Sequence, residues 1–390
     1  MTATESLDLL CRGCAEVISR DELRKKLAAG RPLRVKLGVD PTAPDIHFGH
    51  TVGLQKLRQF QDLGHQAVLI IGDFTAMIGD PSGRSATRPQ LTHDEVMANA
   101  RTYQEQAFKV LDAARTEVVF NGSWFKNMTF TDVIRLNSRV TLQQMLQRED
   151  FRERLEKAHP IRAHEVQYPI MQGWDSVMIR ADVELGGTDQ LFNIMVGRDL
   201  QKEEGQEAQV AMMLPILEGL DGTQKMSKSL GNSIGVNEPP GEMFGKVMSI
   251  SDALMARYYT LLLGRDLPSD AHPMAAKKEL ARLLVARFHT EAEACHALAE
   301  FDKRFSGRDL ENAELPAFVP SAPLLDIITA GVEAYARCFG QQKSRGDVRR
   351  LAVQGSIQWR GEKITDPKAM LDFSQAGILR LDKTRAVRVG

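Results

Sequence analysis

Between Leu33 and Ile71 the chain reads as strand, tight turn, helix and second strand, and that order leaves few folds open. In LRVKLGVD, Val35, Leu37 and Val39 alternate with Lys36, Gly38 and Asp40, the period-two pattern of a strand. Pro41 and Pro44 end it. A helix is predicted to start near His47, because Leu54, Leu57, Arg58 and Phe60 follow at helical spacing. Gly64 stops that helix. His65 to Ile71 (HQAVLII) is apolar enough to be covered on both faces, as parallel strands are. Two such strands joined by a helix form a βαβ unit with a right-handed crossover. Further strands are predicted at Glu117–Phe120, Ala181–Leu185 and Val210–Leu214, and one or two helices over residues 5–29. The expected fold class is therefore α/β, with a Rossmann-like doubly wound parallel sheet.

The same opening stretch carries polar chemistry. His47-Phe48-Gly49-His50 falls on the first turn of the predicted helix. Unpaired N–H groups and a partial positive charge favour phosphate there, and Gly49 lets a ligand lie against the backbone. Four residues of common types are weak alone, but later stretches add weight. GDPSGRSATR (79–88) is a Gly/Ser/Pro loop whose Arg84 and Arg88 suit it to covering phosphates. Helix Thr92–Asp112 follows, with Thr92 and Glu95 as a capping box. Tyr168, Gln172 and Asp175 are spaced four and three apart, so a helix puts all three on one face. A phenol, an amide and a carboxylate each need a partner if buried, which favours a ligand site over core packing. Gly186-Gly187-Thr188-Asp189-Gln190 follows a strand, where open α/β sheets bind ligands and an acid commonly takes ribose hydroxyls. Finally, KMSKS (225–229) sets Lys225 and Lys228 three apart among small polar residues. Such a cationic loop can close on a polyphosphate.

A formal net charge of −1 over 390 residues excludes binding of nucleic acid by bulk positive charge. The charge is uneven, however. From Lys343 to Gly390 there are eleven Lys/Arg against five Asp/Glu, which points to a polyanion-binding tail on an acidic body. Cys11, Cys14, Cys295 and Cys338 lack zinc spacing, so reduced thiols in a reducing compartment are expected. No signal-peptide pattern opens the chain and no apolar run approaches the ~20 residues that span a bilayer, so a cytoplasmic location without membrane contact is expected. Thr129 to Ala158 reads as one helical stretch whose apolar stripe (Val133, Ile134, Leu136, Val140, Leu142, Met145, Leu146) suits core packing or a subunit interface. Residues 250–304 read as helical and 306–323 as a proline-bearing linker. The tail reads as a helix ending near Gly331, a second carrying Arg349 and Arg350, and short strands around Ile357–Trp359 and Lys363–Ile364. Three domains are expected: 1–231, with an insertion at about 120–165; a helical 232–320; and a small α+β domain, 321–390.

In order, DPTAPDIHFGH, IGDPSG, YPIMQGWD, GGTDQ and KMSKS resemble the signature of the class I aminoacyl-tRNA synthetases and, within them, the bacterial tyrosyl-tRNA synthetases. The tail KSRGDVRRLAVQGSIQWRGEKITDP resembles the S4-type RNA-binding module that ends those enzymes. The resemblance implies a tyrosine–tRNA ligase. Tyrosine would attack ATP to give tyrosyl-adenylate and pyrophosphate, and the tRNA terminal ribose would then take the tyrosyl group. It implies ATP with Mg2+ and no tightly bound protein-ligated metal, L-tyrosine and tRNA(Tyr) as further partners, and a homodimer. The helical 232–320 would then serve the anticodon region. By match to the motifs, Thr42 and His47 would hold the γ-phosphate, with His50 and Gly49 under the nucleotide. Lys225 and Lys228 would close over the outer phosphates with Arg84 and Arg88, and Asp189 would take the ribose. Gly38, Asp40, Gly187, Met226 and Ser227 would complete the ATP site. Asp80, Tyr168 and Gln172 would surround the α-ammonium, Gln190 the carboxyl side, and Asp175 the phenol hydroxyl. Arg345, Arg349 and Arg350 would contact tRNA. At two positions the sequence departs from the family pattern: Lys36 stands where many members place a second phenol-contacting tyrosine, and Phe48 replaces the commoner isoleucine.

Rivals are a tryptophanyl-tRNA synthetase, a nucleotidyltransferase and a non-enzymatic RNA-binding relative. Asp175 and the S4-like tail argue against the first. A nucleotidyltransferase would need neither KMSKS nor an RNA-binding tail. The last would have no use for intact His47, His50, Asp189, Lys225 and Lys228.

Overall fold

The structure, a computed structural model, describes residues 2–42, 44–80, 92–268, 270–305, 310, 314–382 and 384–390, with only the backbone described at Arg304 and Phe305. The chain divides into two compact units, Met1–Glu291 and Ala292–Gly390.

The first unit is built on a six-stranded sheet of β1 (Glu16–Ile18), β2 (Arg34–Val39), β3 (Gln66–Ile71), β4 (Thr116–Phe120), β5 (Val183–Gly187) and β6 (Val210–Leu214). Its order is β1-β6-β5-β2-β3-β4. Strands β2 to β6 run parallel, and β1 is an antiparallel edge strand on β6. The sequence reading missed β1, because a three-residue edge strand between two helices (Ala3–Cys11 and Arg20–Ala28) shows no alternation. The other strands fall where the apolar runs predicted them, with β5 shifted two residues toward Gly187.

Alternation along β2 sets the layering. Neighbouring strand residues point to opposite faces. Lys36 reaches Gln172 and Ser176 of helix Ala163–Ile179, while Leu37 lies against Gly53 of helix Phe48–Asp62. The two helices therefore cover opposite faces of the sheet, which is doubly wound. Helix Ala163–Ile179 packs in turn on helix Leu191–Glu203, where Gly173 meets Gly197 so closely that a Cβ on Gly173 would lie 2.9 Å from the Gly197 nitrogen. Phe48 stacks on Phe288 with ring centroids 5.4 Å apart and meets Tyr258 edge-on. Its larger ring thereby ties the Phe48–Asp62 helix to helices Asp252–Leu263 and Pro273–Phe288.

The insertion corrects one expectation. Thr129 to Ala158 is not one helix but three short ones, Phe130–Asn137, Leu142–Leu146 and Glu149–Glu156. Thr129 and Thr141 each cap a new start with a side-chain oxygen. Leu136 and Met145 are buried, whereas Phe130 (79% exposed), Ile134 and Leu142 face outward.

The second unit opens with most of helix Glu291–Phe305. It contains a four-stranded antiparallel sheet ordered β12 (Ala386–Val389), β11 (Gly377–Arg380), β8 (Gln358–Trp359), β9 (Glu362–Lys363). Strands β7 (Leu324–Asp326) and β10 (Met370–Asp372) pair separately. Helix Ile327–Phe339 runs past Gly331, the predicted end, because Gly331 is where it meets helix Arg345–Val353. A Cβ on Gly331 would lie 2.6 Å from Val348. Tyr335, Trp359, Phe373 and Leu379 share the core of this unit.

Candidate active site

Strand order reverses between β2 and β5: β3 and β4 extend the sheet on one side, and β5 and β6 on the other. Ligands of open α/β sheets bind beyond the carboxyl ends of strands at such a point. Here those ends are Gly38 on β2 and Gly186-Gly187 on β5. No atom lies within 4 Å of a Cβ built on Gly38, so the space above it is open. Two cavities meet there, sharing Gly38, His50, Gly186 and Gly187 as walls.

The first cavity, about 280 Å³, lies toward helix Ala163–Ile179. Tyr168, Gln172 and Asp175, predicted to share a face, all line it, with Asp80, Gln190, Asp40 and Thr42. The Tyr168 hydroxyl donates to Asp40 Oδ2 at 2.8 Å, and Asp40 Oδ1 accepts from Thr75 at 2.8 Å. Asp40, predicted as a nucleotide contact, thus lines this first cavity beside Tyr168 and Thr75. A side chain on Gly72 would run into this Asp40–Thr75 pair. Asp80 accepts from Gln190 Nε2 at 2.9 Å. An amide chain continues from there: Asn193 Nδ2 donates to Gln190 Oε1 (3.0 Å) and Gln172 Oε1 (2.8 Å), and Gln172 Nε2 donates to Glu184 (3.1 Å). Arg148, from the insertion, donates to Asn193 Oδ1 at 3.2 Å and stands 3.7 Å from Asp80.

Asp175 lies deeper. Asn121 Nδ2 donates to one of its oxygens at 3.2 Å and the Trp124 indole to the other at 3.1 Å. Burial pushes its carboxyl up to about 7, against the pull of Lys36 and these two donors. Near neutrality it is poised between charged and neutral. Asn121, Trp124, Asn193 and Arg148 were not predicted as site residues; their roles depend on contacts between distant segments that a single sequence does not reveal.

The second cavity, about 310 Å³, is walled by His47, Gly49, His50, Asp189, Lys225, Met226 and Leu217. His47 caps helix Phe48–Asp62, its Nδ1 accepting from the Gly49 N–H at 3.1 Å, while His50 Nδ1 accepts from the His47 N–H at 3.2 Å. A ring nitrogen that accepts carries no proton, so each ring keeps its N–H on Nε2 and can donate. Burial, with help from His50 and Lys228, holds His47 down to about 3. His50 is pushed the same way, down to about 4, by burial and Lys228. A methyl on Gly49 would sit 2.9 Å from the His47 ring, so only glycine allows this imidazole to fold over the helix start.

The KMSKS loop is held from behind by Asn232, another residue the sequence reading missed. Its Oδ1 accepts from Ser227 N–H (2.8 Å), and its Nδ2 donates to Asp221 (2.8 Å) and the Lys225 carbonyl (3.2 Å). Lys225 reaches the cavity wall, whereas Lys228 pairs outside it with Asp45 at 2.6 Å. Ser227 contacts Ser229, also off the wall. Backbone bonds from Phe48 to Ile234 and from Val236 to Ile46 lock the segment after the loop onto the HFGH turn. Arg84 and Arg88 lie outside the described residues. Asp189 sits on the 3₁₀ turn Thr188–Gln190, exposed, its carboxylate close to Gly187. A larger cavity of about 800 Å³ opens beside Asp189 among Arg148, Asp150, Arg154 and Lys157 of the insertion. Its size does not mark the chemistry; convergent donors, acceptors and glycine strand ends do. Among the described residues no cluster of His, Cys, Asp and Glu is arranged to hold a metal ion. In the second unit, Arg345, Arg349 and Arg350 are exposed on helix Arg345–Val353, where Arg345 contacts Thr329 and Arg350 contacts Asp347.

A family profile described as class I tRNA synthetases (W and Y) matches residues 28–313. The chain is 50% identical to the tyrosine–tRNA ligase of Moorella thermoacetica over 98% of this chain and 95% of that one, and 47% identical to that of Aquifex aeolicus over 100% and 99%. The chain belongs to the tyrosine branch of the class I tRNA synthetases. In fold, it is similar to a C-terminally truncated mitochondrial tyrosyl-tRNA synthetase of Aspergillus nidulans (TM-score 0.64, 22% identity, covering 78% of this chain and 94% of that one). It is also similar to the Archaeoglobus fulgidus tyrosyl-tRNA synthetase, solved with L-tyrosine (TM-score 0.60, 24% identity, covering 76% and 99%).

Proposed function

We propose that the two cavities bind L-tyrosine and ATP side by side and that the chain is a tyrosine–tRNA ligase. The observation that carries this reading is that a deep carboxylate acceptor, Asp175, closes the cavity on one side of Gly38, while the HFGH turn and Lys225 frame the cavity on the other. The tyrosine carboxylate attacks the α-phosphorus of ATP, a new C–O–P bond forms, and the bond to the pyrophosphate oxygen breaks. The terminal ribose hydroxyl of tRNA(Tyr) then attacks the acyl carbon, AMP leaves, and the enzyme forms no covalent intermediate.

Catalysis is electrostatic, because charge grows on the phosphoryl oxygens and the departing pyrophosphate. Neutral His47 and His50 donate from Nε2, with Thr42 beside them. Lys225, Lys228, Arg84 and Arg88 supply positive charge, for which Lys228 must exchange Asp45 for phosphate. Mg2+ arrives with ATP as part of the substrate. Asp189 takes the ribose and Gly49 and Gly187 give the nucleotide backbone access. Asp80, Tyr168, Gln172 and Gln190 take the amino and carboxyl groups, and Asp175 the phenol. A site built to hydrogen-bond that hydroxyl rejects an analogue lacking it, as tyrosyl-tRNA synthetases do with phenylalanine. Arg345, Arg349 and Arg350 bind tRNA backbone, with 232–320 serving the anticodon region. The exposed Phe130, Ile134 and Leu142 of the insertion form a homodimer contact, and a monomeric mass by light scattering at micromolar concentration would remove that part. The protein works in the cytoplasm; no described helix is long and apolar enough to cross a membrane. The test is transfer of labelled amino acids to tRNA(Tyr). Tyrosine should be attached, and attachment of tryptophan in its place would overturn the assignment.

A further inference from the structure

Among the residues that line the first cavity is an ion pair that the reaction as described does not use. Lys36 on β2 and Glu184 on β5 are paired in register across two parallel strands, with side chains 0% and 1% exposed and charged atoms 2.9 Å apart. The Lys36 ammonium also donates to the Gln172 carbonyl and the Ser176 hydroxyl, each at 2.8 Å. Three partners use all three of its N–H donors, so Lys36 has none left for a substrate hydroxyl. Glu184 accepts from Gln172 at 3.1 Å and Ser176 at 3.0 Å, and also from Gln209. The residues bound on either side of Asp175, Gln172 and Ser176, are thus anchored to this pair. The nearby groups acting on Asp175 are Lys36 on β2, Glu184 on β5, and the neutral donors Asn121 and Trp124 from the segment after β4. Tyr168 on its own helix interacts with it too.

We propose that the buried Lys36–Glu184 pair is a positioning and specificity-determining device: its charge balance fixes whether Asp175 meets the phenol as a charged acceptor. Lys36 does not replace the family's second tyrosine as a phenol contact. It holds the helix that carries the acceptor and supplies positive charge that acts on it, while Glu184 opposes that charge. Charged acceptors make the stronger hydrogen bond, so the balance sets tyrosine affinity at a given pH. This rests on the proposed tyrosine site.

The two members therefore act with opposite signs, which a purely structural pair would not do. The test measures tyrosine Kd by equilibrium dialysis from pH 5.5 to 8.5 on the full chain, with phenylalanine as the control lacking the hydroxyl. In the wild type, tyrosine should bind more tightly as pH rises through Asp175 ionisation, while phenylalanine binding stays flat. Lys36→Met should move that midpoint up by about one unit and weaken tyrosine roughly fivefold at pH 7. Glu184→Gln, which keeps an accepting oxygen, should move it down. Midpoints that stay put, or that move in the same direction, overturn the proposal. If Lys36→Met does not fold, Glu184→Gln decides alone: a downward shift supports the proposal, and no shift or an upward one overturns it. Wild-type protein that fails to bind tyrosine would instead overturn the tyrosine site itself.

Discussion

In the proposed site, Asp175 concentrates the choice of amino acid in one carboxylate. It is buried, donors fix both of its oxygens, and its charge is close to balance at neutral pH. Asp175→Ala removes the proposed acceptor of the phenol and takes away the partner of the Trp124 indole, while Asn121 keeps its bond to Thr75. The expected loss in kcat/KM for tyrosine is roughly 100-fold, ~3 kcal/mol, while KM for ATP hardly changes. Comparable losses for both substrates would make the residue structural. Tyr168, Gln172 and Asp175 were legible in the sequence because helical spacing alone sets them on one face. Glu184 was not, since its meaning comes only from its pairing with Lys36 across β2 and β5. Asn121 and Trp124 likewise gain a role only when β4 lies beside β3. The glycines were half legible: Gly49 stood out at a helix start, but its reason, the His47 ring folded 2.9 Å from any methyl there, is a tertiary fact.

Among the elements, the KMSKS loop shows how a short polar segment is held ready. One side chain, Asn232, bonds Ser227, the Lys225 carbonyl and Asp221. Asp221 accepts from Thr223 and Gln224 as well, which holds it down to about 2. Asn232→Ala should therefore cost ~1–3 kcal/mol locally and raise KM for ATP in adenylate formation, with tyrosine Kd unchanged. An unchanged KM for ATP would show that the loop is not positioned by Asn232. Parallel strands were easy to place, because burial on both faces makes them apolar runs. The insertion was misread because its apolar spacing continues across Thr141, where a capping side chain starts a new helix. In the tail, β8 and β9 lie within a residue of their predicted places, whereas β10, β11 and β12 were missed, since three or four residues give too little alternation to register.

For the whole molecule, the proposed function divides the labour between the two compact units. Both cavities and every described residue proposed for the amino acid and ATP lie in Met1–Glu291, and the arginine-bearing helix Arg345–Val353 in Ala292–Gly390. Deleting the chain after Pro320 should leave adenylate formation near the wild-type rate and abolish most tRNA charging. Charging that persisted would mean the tail is not a tRNA-binding module. The central claim is that this molecule selects tyrosine and activates it with ATP. ATP–pyrophosphate exchange, run with each of the twenty amino acids in turn, tests it most directly. Tyrosine alone should support exchange; exchange with tryptophan instead, or with no amino acid at all, would contradict the assignment.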